Sequence, residues 1–156
     1  MEIIFERITT QNDIELLKYW LEDPELRRMS RMTDIPLTDE DYQTYLDTLS
    51  FLVFVDGLAI GYARIYRYAI EEEGEIGIAI AMPEYRRRGL GTLIGQKVIA
   101  TCLAMGMRKI HWATGDFNLP SIKLAEKLGF KFDCLIPDVI KLQTGNRNAL
   151  VYTLEI

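Results

Sequence analysis

The chain has 156 residues, of which 49% are hydrophobic and 26% charged, and its formal net charge is −5 at pH 7. These values predict one folded domain over residues 1–156 and exclude a disordered chain. The acidic balance argues against general nucleic-acid binding, which needs a basic surface, and fits a cationic substrate. Neither a long apolar run nor a basic stretch ahead of an apolar segment occurs, so we expect a cytoplasmic protein without a membrane span.

The spacing of apolar residues changes along the chain between helical and strand-like patterns. Thr10 with Asp13 is typical of a capped helix start, Asp56-Gly57 between two apolar runs is typical of a hairpin, and Gly129 is typical of a helix end. The predicted elements are a strand at 2–8, helices at 10–21 and 38–48, strands at 51–55 and 58–68, a turn at 71–74, a strand at 75–82, a helix ending near 105, a strand at 109–114, a helix at 119–128, and strands at 130–136 and 149–156.

This order of elements predicts an α+β (mixed α/β) fold, in which a mostly antiparallel sheet of about seven strands is flanked by about four helices. The cysteines Cys102 and Cys134 lie in apolar segments and are expected to be buried, reduced thiols. Two cysteines and one histidine cannot form a metal cage, so no metal is expected.

The segment between the predicted strand 75–82 and the next helix has the chemistry of an anion site. Three arginines, at 86–88, precede Gly89 and Gly91. Free N–H groups at a helix start bind phosphate oxygens, and glycine lets a ligand approach the backbone. Glycine also begins tight turns for purely structural reasons, so the segment alone leaves both interpretations open. Its spacing is not that of the dinucleotide motif G-x-G-x-x-G.

Two segments of the chain resemble the GNAT N-acetyltransferase superfamily. Residues 78–92 contain its pattern Q/R-x-x-G-x-G/A, and residues 118–130 resemble its pattern N-x-x-[AS]-x-x-L-x-x-K-L-G-F. The opening residues 7–24 resemble the branch of ribosomal-protein N-terminal acetyltransferases and its aminoglycoside-modifying relatives. The resemblance implies the acyl-CoA N-acyltransferase fold. It also implies transfer of an acetyl group from acetyl-CoA to a primary amine, on a small molecule or a peptide N-terminus, by direct attack in a ternary complex.

The resemblance also implies which residues bind acetyl-CoA. The end of the strand would pair with the pantetheine arm, and the backbone amides of the loop would hold the pyrophosphate. Asn118 would contact the arm, although asparagine is also a good helix cap. The implied cofactor-binding residues are Ile80, Ala81, Met82, Arg86, Arg87, Arg88, Gly89, Leu90, Gly91, Thr92, Asn118 and Ser121.

Three residues are candidate catalytic groups. Glu75 precedes Arg86 by the spacing of the general-base glutamate in the superfamily's histone acetyltransferases, and a carboxylate becomes a useful base when burial raises its pKa. His111 is the only histidine and titrates in a useful range, so the choice of base stays open between the two. The backbone N–H near Met82 is a candidate oxyanion donor.

Ala125 departs from the family pattern, because many members have a tyrosine there as general acid for the departing thiolate. A thiolate with a pKa of about 8.5 is a tolerable leaving group without it. The departure nevertheless keeps open a non-catalytic acyl-CoA-binding sensor as the alternative function. The acceptor groove is expected to involve residues 29–37 and 137–148. Dimers are common in the superfamily, so a homodimer also stays open.

Overall fold

A computed structural model of the chain describes residues 1–69 and 72–156, and within them it contains seven strands, five α-helices and one 3-10 turn at Pro83–Tyr85. The predicted α+β fold is therefore confirmed, with one helix more than expected. The strands are β1 Ile3–Arg7, β2 Leu49–Val55, β3 Leu58–Arg67, β4 Glu73–Ile80, β5 Lys109–Gly115, β6 Lys131–Leu142 and β7 Gly145–Glu155. The helices are α1 Gln11–Leu21, α2 Pro24–Arg31, α3 Asp39–Asp47, α4 Leu90–Ala104 and α5 Leu119–Lys127.

The first three helices begin at side-chain caps. Reciprocal capping boxes start α1 at Thr10 and α3 at Thr38, since the acid at the third helical position returns a hydrogen bond to each cap. The extra helix is α2, whose N-cap Asp23 accepts a hydrogen bond from the Glu25 N–H at 2.9 Å. Pro24 occupies its first turn, where proline has no intrahelical partner to lose.

The seven strands form one sheet in the order β1-β2-β3-β4-β5-β7-β6. All neighbours are antiparallel except β4 and β5, which run parallel and pair only from Glu73↔Lys109 to Glu75↔His111. Beyond that point β4 continues to Ile80 and β5 to Gly115 without pairing with each other. The sheet therefore divides into two diverging halves at its centre.

Each face of the sheet buries one hydrophobic cluster. On the face covered by α4 and α5, Ile65, Ile76 and Trp112 pack with the helix residues Ile94 and Val98. The opposite face is covered by α1, α2 and α3, whose apolar residues pack against the side chains of Leu52, Tyr62 and Ala79. Along β3 and β4 the side chains alternate between the clusters, as strand geometry requires. In the described part of the chain, no helix is both long and apolar enough to cross a membrane.

Three expectations from the sequence were wrong in detail. In the predicted turn at 71–74, Glu71 lies outside the described residues, and Glu73 with Gly74 already belongs to β4. Residues 137–148 are mostly the ends of β6 and β7 and not a loop, because pairing between these strands continues to Leu142↔Gly145. Cys134 is exposed on the edge strand β6. Cys102 is buried as expected, and burial raises its pKa to about 11.

Candidate active site

The opening between β4 and β5 begins at Glu75 and exposes one backbone edge of β4. At the end of β4, the N–H groups of Ala81 and Met82 both donate to the Ile60 carbonyl, at 2.8 and 3.2 Å, which forms a bulge. Because ladder groups alternate along a strand, the N–H groups of Ile78 and Ile80 point away from β3, toward the opening. This edge has no partner strand within the described residues.

The predicted oxyanion donor, the N–H of Met82, is thus already engaged with Ile60. The open N–H groups belong to Ile78 and Ile80. The sequence did not indicate Ile78 as a backbone donor, and Met82 was the predicted oxyanion donor instead. The sequence does not show the bulge, which changes the alternating direction of the N–H groups after Ala81. The residue that could have indicated the bulge is Gly61. It lies opposite Ile80, and a Cβ added to it would lie 2.0 Å from the Ala79 carbonyl oxygen.

The start of α4 lacks a side-chain cap. Its N-cap Gly89 has a φ of +78°, and nothing lies within 4 Å of the position that a Cβ would take there. The other four α-helices of the described chain begin with capping side chains, those of Thr10, Asp23, Thr38 and Asn118. The first-turn N–H groups of α4 consequently remain available to an external acceptor, and the helix dipole favours an anion there. These residues fit a pyrophosphate.

The three arginines have different positions. Arg86 is half-buried, and its guanidinium donates to the carbonyls of Ile80 and Ala81 at 2.9 and 3.3 Å. It therefore ties the loop to the end of β4. Arg87 and Arg88 are exposed at the rim beside the start of α4, with Arg88 5.3 Å from the centre of the Tyr85 ring. Arg87 and Arg88, rather than Arg86, therefore supply positive charge at the surface.

The remaining residues of the loop motif pack inward or sideways. Leu90 is buried in the core beneath α4, and Thr92 is half-buried. A Cβ on Gly91 would lie 3.1 Å from the Leu124 side chain. The absence of a side chain at Gly91 therefore lets α4 approach α5, and the contact of Gly91 with the cofactor stays a prediction.

Asn118 and Ser121 lie at the start of α5, next to the end of β5. Asn118 is buried, its Oδ1 accepts from the Ser121 N–H at 3.3 Å, and its Nδ2 donates to the Met29 carbonyl at 3.1 Å. The Ser121 hydroxyl accepts from the indole N–H of Trp112 at 3.0 Å. Both side chains are thus engaged within the protein, and their contact with the cofactor stays a prediction. Ala125, farther along α5, is completely buried.

Glu75 is half-buried on the α1–α3 face of the sheet and lines a cavity of about 240 Å³. Burial raises the pKa of its carboxyl, whereas a hydrogen bond from the Tyr68 hydroxyl (3.4 Å) and the nearby His111 and Arg64 oppose that rise. Burial and the neighbouring Glu75 in turn raise the pKa of Tyr68 to about 12. A carboxylate with a raised pKa has the character of a general base.

His111 lies directly across from Glu75 on β5. Its Nε2 bonds to Glu73 Oε1 at 2.5 Å, its Nδ1 bonds to Thr153 Oγ1 at 3.0 Å, and its ring stacks on Tyr68 with 5.6 Å between ring centres. Both ring nitrogens are therefore occupied. His111 is also not among the residues that line the cavity beside Glu75.

The cavity has other walls that the sequence did not indicate. Besides Glu75 it is lined by Ser30 and Arg31 from the end of α2 and by Tyr62, Arg64 and Tyr66 from β3, with Ile76, Gly77 and Ile78 of β4. These side chains come from separate elements, and no local pattern marks them. They meet only because α2 packs over β3 and β4.

The geometry agrees with comparisons to known proteins. Residues 2–131 match the family model "Acetyltransferase (GNAT) domain", so the chain belongs to the GNAT acetyltransferase family. It is 30% identical over 129 residues to alpha/beta-tubulin-N-acetyltransferase 9 of Mus musculus, which covers 81% of this chain and 49% of the relative. The chain spans about half the length of the curated relatives it matches, or less.

Two solved structures have the same fold. The first is a spermidine N-acetyltransferase from Vibrio cholerae in complex with CoA and spermine, with a TM-score of 0.85, 12% identity, and coverage of 98% of this chain and 95% of that chain. The second is a Salmonella typhimurium protein with its cofactor acetyl-CoA, with a TM-score of 0.81, 18% identity, and coverage of 99% and 93%.

Proposed function

We propose that the protein transfers an acetyl group from acetyl-CoA to a primary amine by direct attack within a ternary complex. The observation that carries this proposal is the divergence of β4 from β5. Glu75 lies at the last paired position, and the strand then leads through its open edge to the uncapped start of α4. A base and an anion site are thereby arranged at the two ends of one opening.

The chain's own groups suit the two polar parts of acetyl-CoA. The free N–H groups at the start of α4 would hold the pyrophosphate, with Arg87 and Arg88 at the rim. The open edge at Ile78 and Ile80 would pair with the amides of the pantetheine arm, as an added strand pairs with a sheet edge. Acetyl-CoA supplies the acetyl group as an activated thioester.

In the proposed reaction Glu75 accepts a proton from the incoming amine, directly or through a water. An amine with a pKa near 10 arrives protonated and cannot attack until that proton leaves. The amine nitrogen then forms a bond to the acetyl carbon while the carbon–sulfur bond breaks, and the sulfur departs as a thiolate. The second proton that the nitrogen must lose passes to that thiolate or to solvent, which leaves the neutral amide. Glu75 is favoured over His111 because it lines the cavity, whereas both ring nitrogens of His111 are bonded.

The mechanism includes no dedicated acid for the thiolate. Ala125 occupies the position where the family pattern has tyrosine, and it is completely buried. This favours a second candidate function, a non-catalytic acyl-CoA-binding sensor. The sensor predicts cofactor binding without turnover of any amine, whereas the transferase predicts both. The similar proteins named for tubulin and for spermidine differ in their acceptors, so the family does not fix the amine.

Thermal shift with acetyl-CoA, CoA and ATP tests the cofactor site. We expect both CoA species to raise the melting temperature and ATP to have little effect. A Gly89→Trp variant should lose the shift, because its indole would fill the open space at the start of α4. Gly57→Trp is the matched control, since Gly57 also has a positive φ and open surroundings but lies in the β2–β3 turn. A wild-type protein without a CoA shift would overturn the proposal.

An amine screen with a free-thiol readout then separates the two candidate functions. Release of CoA that depends on an added amine supports the transferase. Binding without thiol release across the panel supports the sensor. The screen should include amines with and without an anionic group, for the reason given in the next section.

We also propose a cytoplasmic location and a homodimer. The unpaired thiols of Cys102 and Cys134 support a reducing compartment. The edge strand β6 exposes Phe132, Leu135 and Ile136, and apolar side chains on a free edge support contact with a second copy. Light scattering after size-exclusion chromatography tests the dimer, and Phe132→Lys should weaken it.

A further inference from the structure

The cavity beside Glu75 contains two guanidinium groups on one wall. Arg31 and Arg64 both lie against Tyr45: their Cζ atoms are 5.3 and 4.1 Å from its ring centre, and Arg31 donates to the Tyr45 hydroxyl at 3.0 Å. Arg64 also donates to the hydroxyls of Thr44 and Thr48 at 3.3 and 3.2 Å. Tyr45 is completely buried, so the wall that orients the two arginines is rigid.

Neither cation forms a direct ion pair among the described residues, although Arg64 lies near enough to Glu75 to oppose the rise in the pKa of that carboxyl. Within the described residues, no carboxylate forms a salt bridge with Arg31 or Arg64. Both side chains are half-buried, and burial together with the charge of Arg31 lowers the pKa of Arg64. Two like charges held together and partly removed from water are costly, and an anion between them offsets that cost. Guanidinium groups bind carboxylates and phosphates through paired hydrogen bonds.

We propose that the acceptor is a small zwitterion of the amino-acid type, whose amine approaches Glu75 while its anionic group binds Arg31 and Arg64. This deepens the proposed function and rests on it. All three side chains line the same cavity, so the amine and the anion must be only a few bonds apart. The volume of about 240 Å³ lies below the range of about 300–1,000 Å³ typical of drug-sized ligands, which suits a small acceptor.

The charge distribution argues against polycations as acceptors. The whole chain carries a net charge of −5, which by itself would attract a polyamine. The lining of the cavity has the opposite balance of charge, since its two guanidinium groups outnumber the single carboxyl of Glu75. A second ammonium group entering beside Arg31 would meet repulsion where a carboxylate meets attraction.

The test compares acceptors that differ only in the anionic group. Initial rates are measured with L-methionine, L-methioninamide and spermidine, for the wild type and for Arg31→Gln, Arg64→Gln and the control Arg108→Gln. Arg108 is exposed before β5 and does not line the cavity. Arg31→Gln is the more informative substitution, because Arg64 also supports Thr44 and Thr48; melting curves establish that each variant folds.

We expect the wild type to prefer L-methionine over L-methioninamide by about 10- to 100-fold in kcat/KM, the range of a hydrogen bond to a charged group. Arg31→Gln should remove most of that preference by raising the KM for L-methionine, with the rate on L-methioninamide changed less than about threefold. Preference for spermidine or L-methioninamide in the wild type would overturn the proposal. So would an equal loss on both methionine compounds in Arg31→Gln.

A binding measurement separates this proposal from the transferase itself. N-acetyl-L-methionine and its carboxamide are titrated calorimetrically into the CoA-saturated protein. If no amine is acetylated, the proposed transferase function fails, yet tighter binding of the carboxylate that is lost in Arg31→Gln still supports the anion site. Equal binding of the two compounds, or no binding of either, overturns the anion site whatever the turnover.

Discussion

The two sides of the sheet contribute to the site in different ways. Toward α4, the groups available to a ligand are backbone N–H groups at the uncapped helix start and along β4. Toward α2, they are side chains, namely Arg31, Arg64 and Glu75. Backbone recognition depends on a fixed local conformation and so requires glycine at fixed positions. Side-chain recognition is assembled from distant elements, and it can change with single substitutions that leave the fold intact.

Among substitutions that test the two parts of the site, Glu75→Gln is expected to have the largest effect, which is on kcat. If Glu75 is the base, kcat falls by about 10²–10⁴-fold while the affinity for acetyl-CoA is unchanged, because the glutamine keeps its volume but cannot accept the proton. Steady-state kinetics with CoA titration measures both. His111→Gln provides the comparison, and a greater loss of kcat there would move the assignment to the histidine.

The pH dependence of kcat/KM gives a second test of Glu75 as the base. Burial raises the pKa of Glu75, so the rising limb of activity should lie above the ordinary carboxyl range of about 4.3. The limb should disappear in Glu75→Gln. A limb at the ordinary carboxyl pKa would show that the base is a different, solvated group.

Gly61→Ala should damage the backbone part of the site. Its Cβ would lie 2.0 Å from the Ala79 carbonyl oxygen, and that oxygen belongs to backbone that cannot rotate away. We expect a loss of about 3 kcal/mol in the free energy of unfolding and weaker CoA binding, because the end of β4 must shift. Urea denaturation and thermal shift measure the two effects. Gly77→Ala on the neighbouring strand β4 has open space around its Cβ and should cost far less.

Asn118 joins the two regions, since it caps α5 and donates to the Met29 carbonyl in α2. Asn118→Ala should destabilise by about 2 kcal/mol, from the lost cap and the unpaired carbonyl. Asn118→Ser keeps a capping hydroxyl but is too short to reach Met29, so about half of that loss is expected. Equal stability of the alanine and serine variants would mean that the cap contributes nothing.

The smallest effect is a gain in stability in Glu75→Gln. A carboxyl whose folded pKa is raised contributes stability that is present below its unfolded pKa and is lost as pH rises through the folded pKa. The variant should therefore melt higher than the wild type at neutral pH, and the difference should vanish near pH 4. Calorimetry at several pH values measures this. A wild type that is the more stable at neutral pH would contradict a raised pKa.

The backbone part of the site was easier to predict from the sequence than the side-chain part. The former depends on local patterns, and the latter depends on contacts between distant segments. Capping boxes at Thr10 and Thr38 and the glycine at 89 are local signals, and the elements they predict are present. The fold class and the family were also readable, because they rest on such local patterns. Asp23-Pro24 was an equally local signal for α2, but it was missed.

Features that depend on contacts between distant segments were not predictable. Proline at 137 and glycine at 145 suggest a loop, yet pairing with β7 keeps the segment in a strand. The engagement of the Met82 N–H depends on a bulge opposite Ile60, the residue before Gly61. Arg31 and Arg64 have no motif in common, and they meet at one wall because both lie against Tyr45 of α3 and because Ser30 of α2 contacts Tyr62 of β3.

The short parallel contact between β4 and β5 has a consequence for how the protein opens. Within the residues that the structure describes, it is the only ladder joining β1–β4 to β5–β7, and it contains three residue pairs, against seven between β5 and β7. Amide protons along this boundary should exchange with solvent faster than those of either antiparallel half. Acetyl-CoA lying along Ile78 and Ile80 would act as an eighth strand and slow that exchange. The stability of the whole sheet would then depend on the concentration of acetyl-CoA.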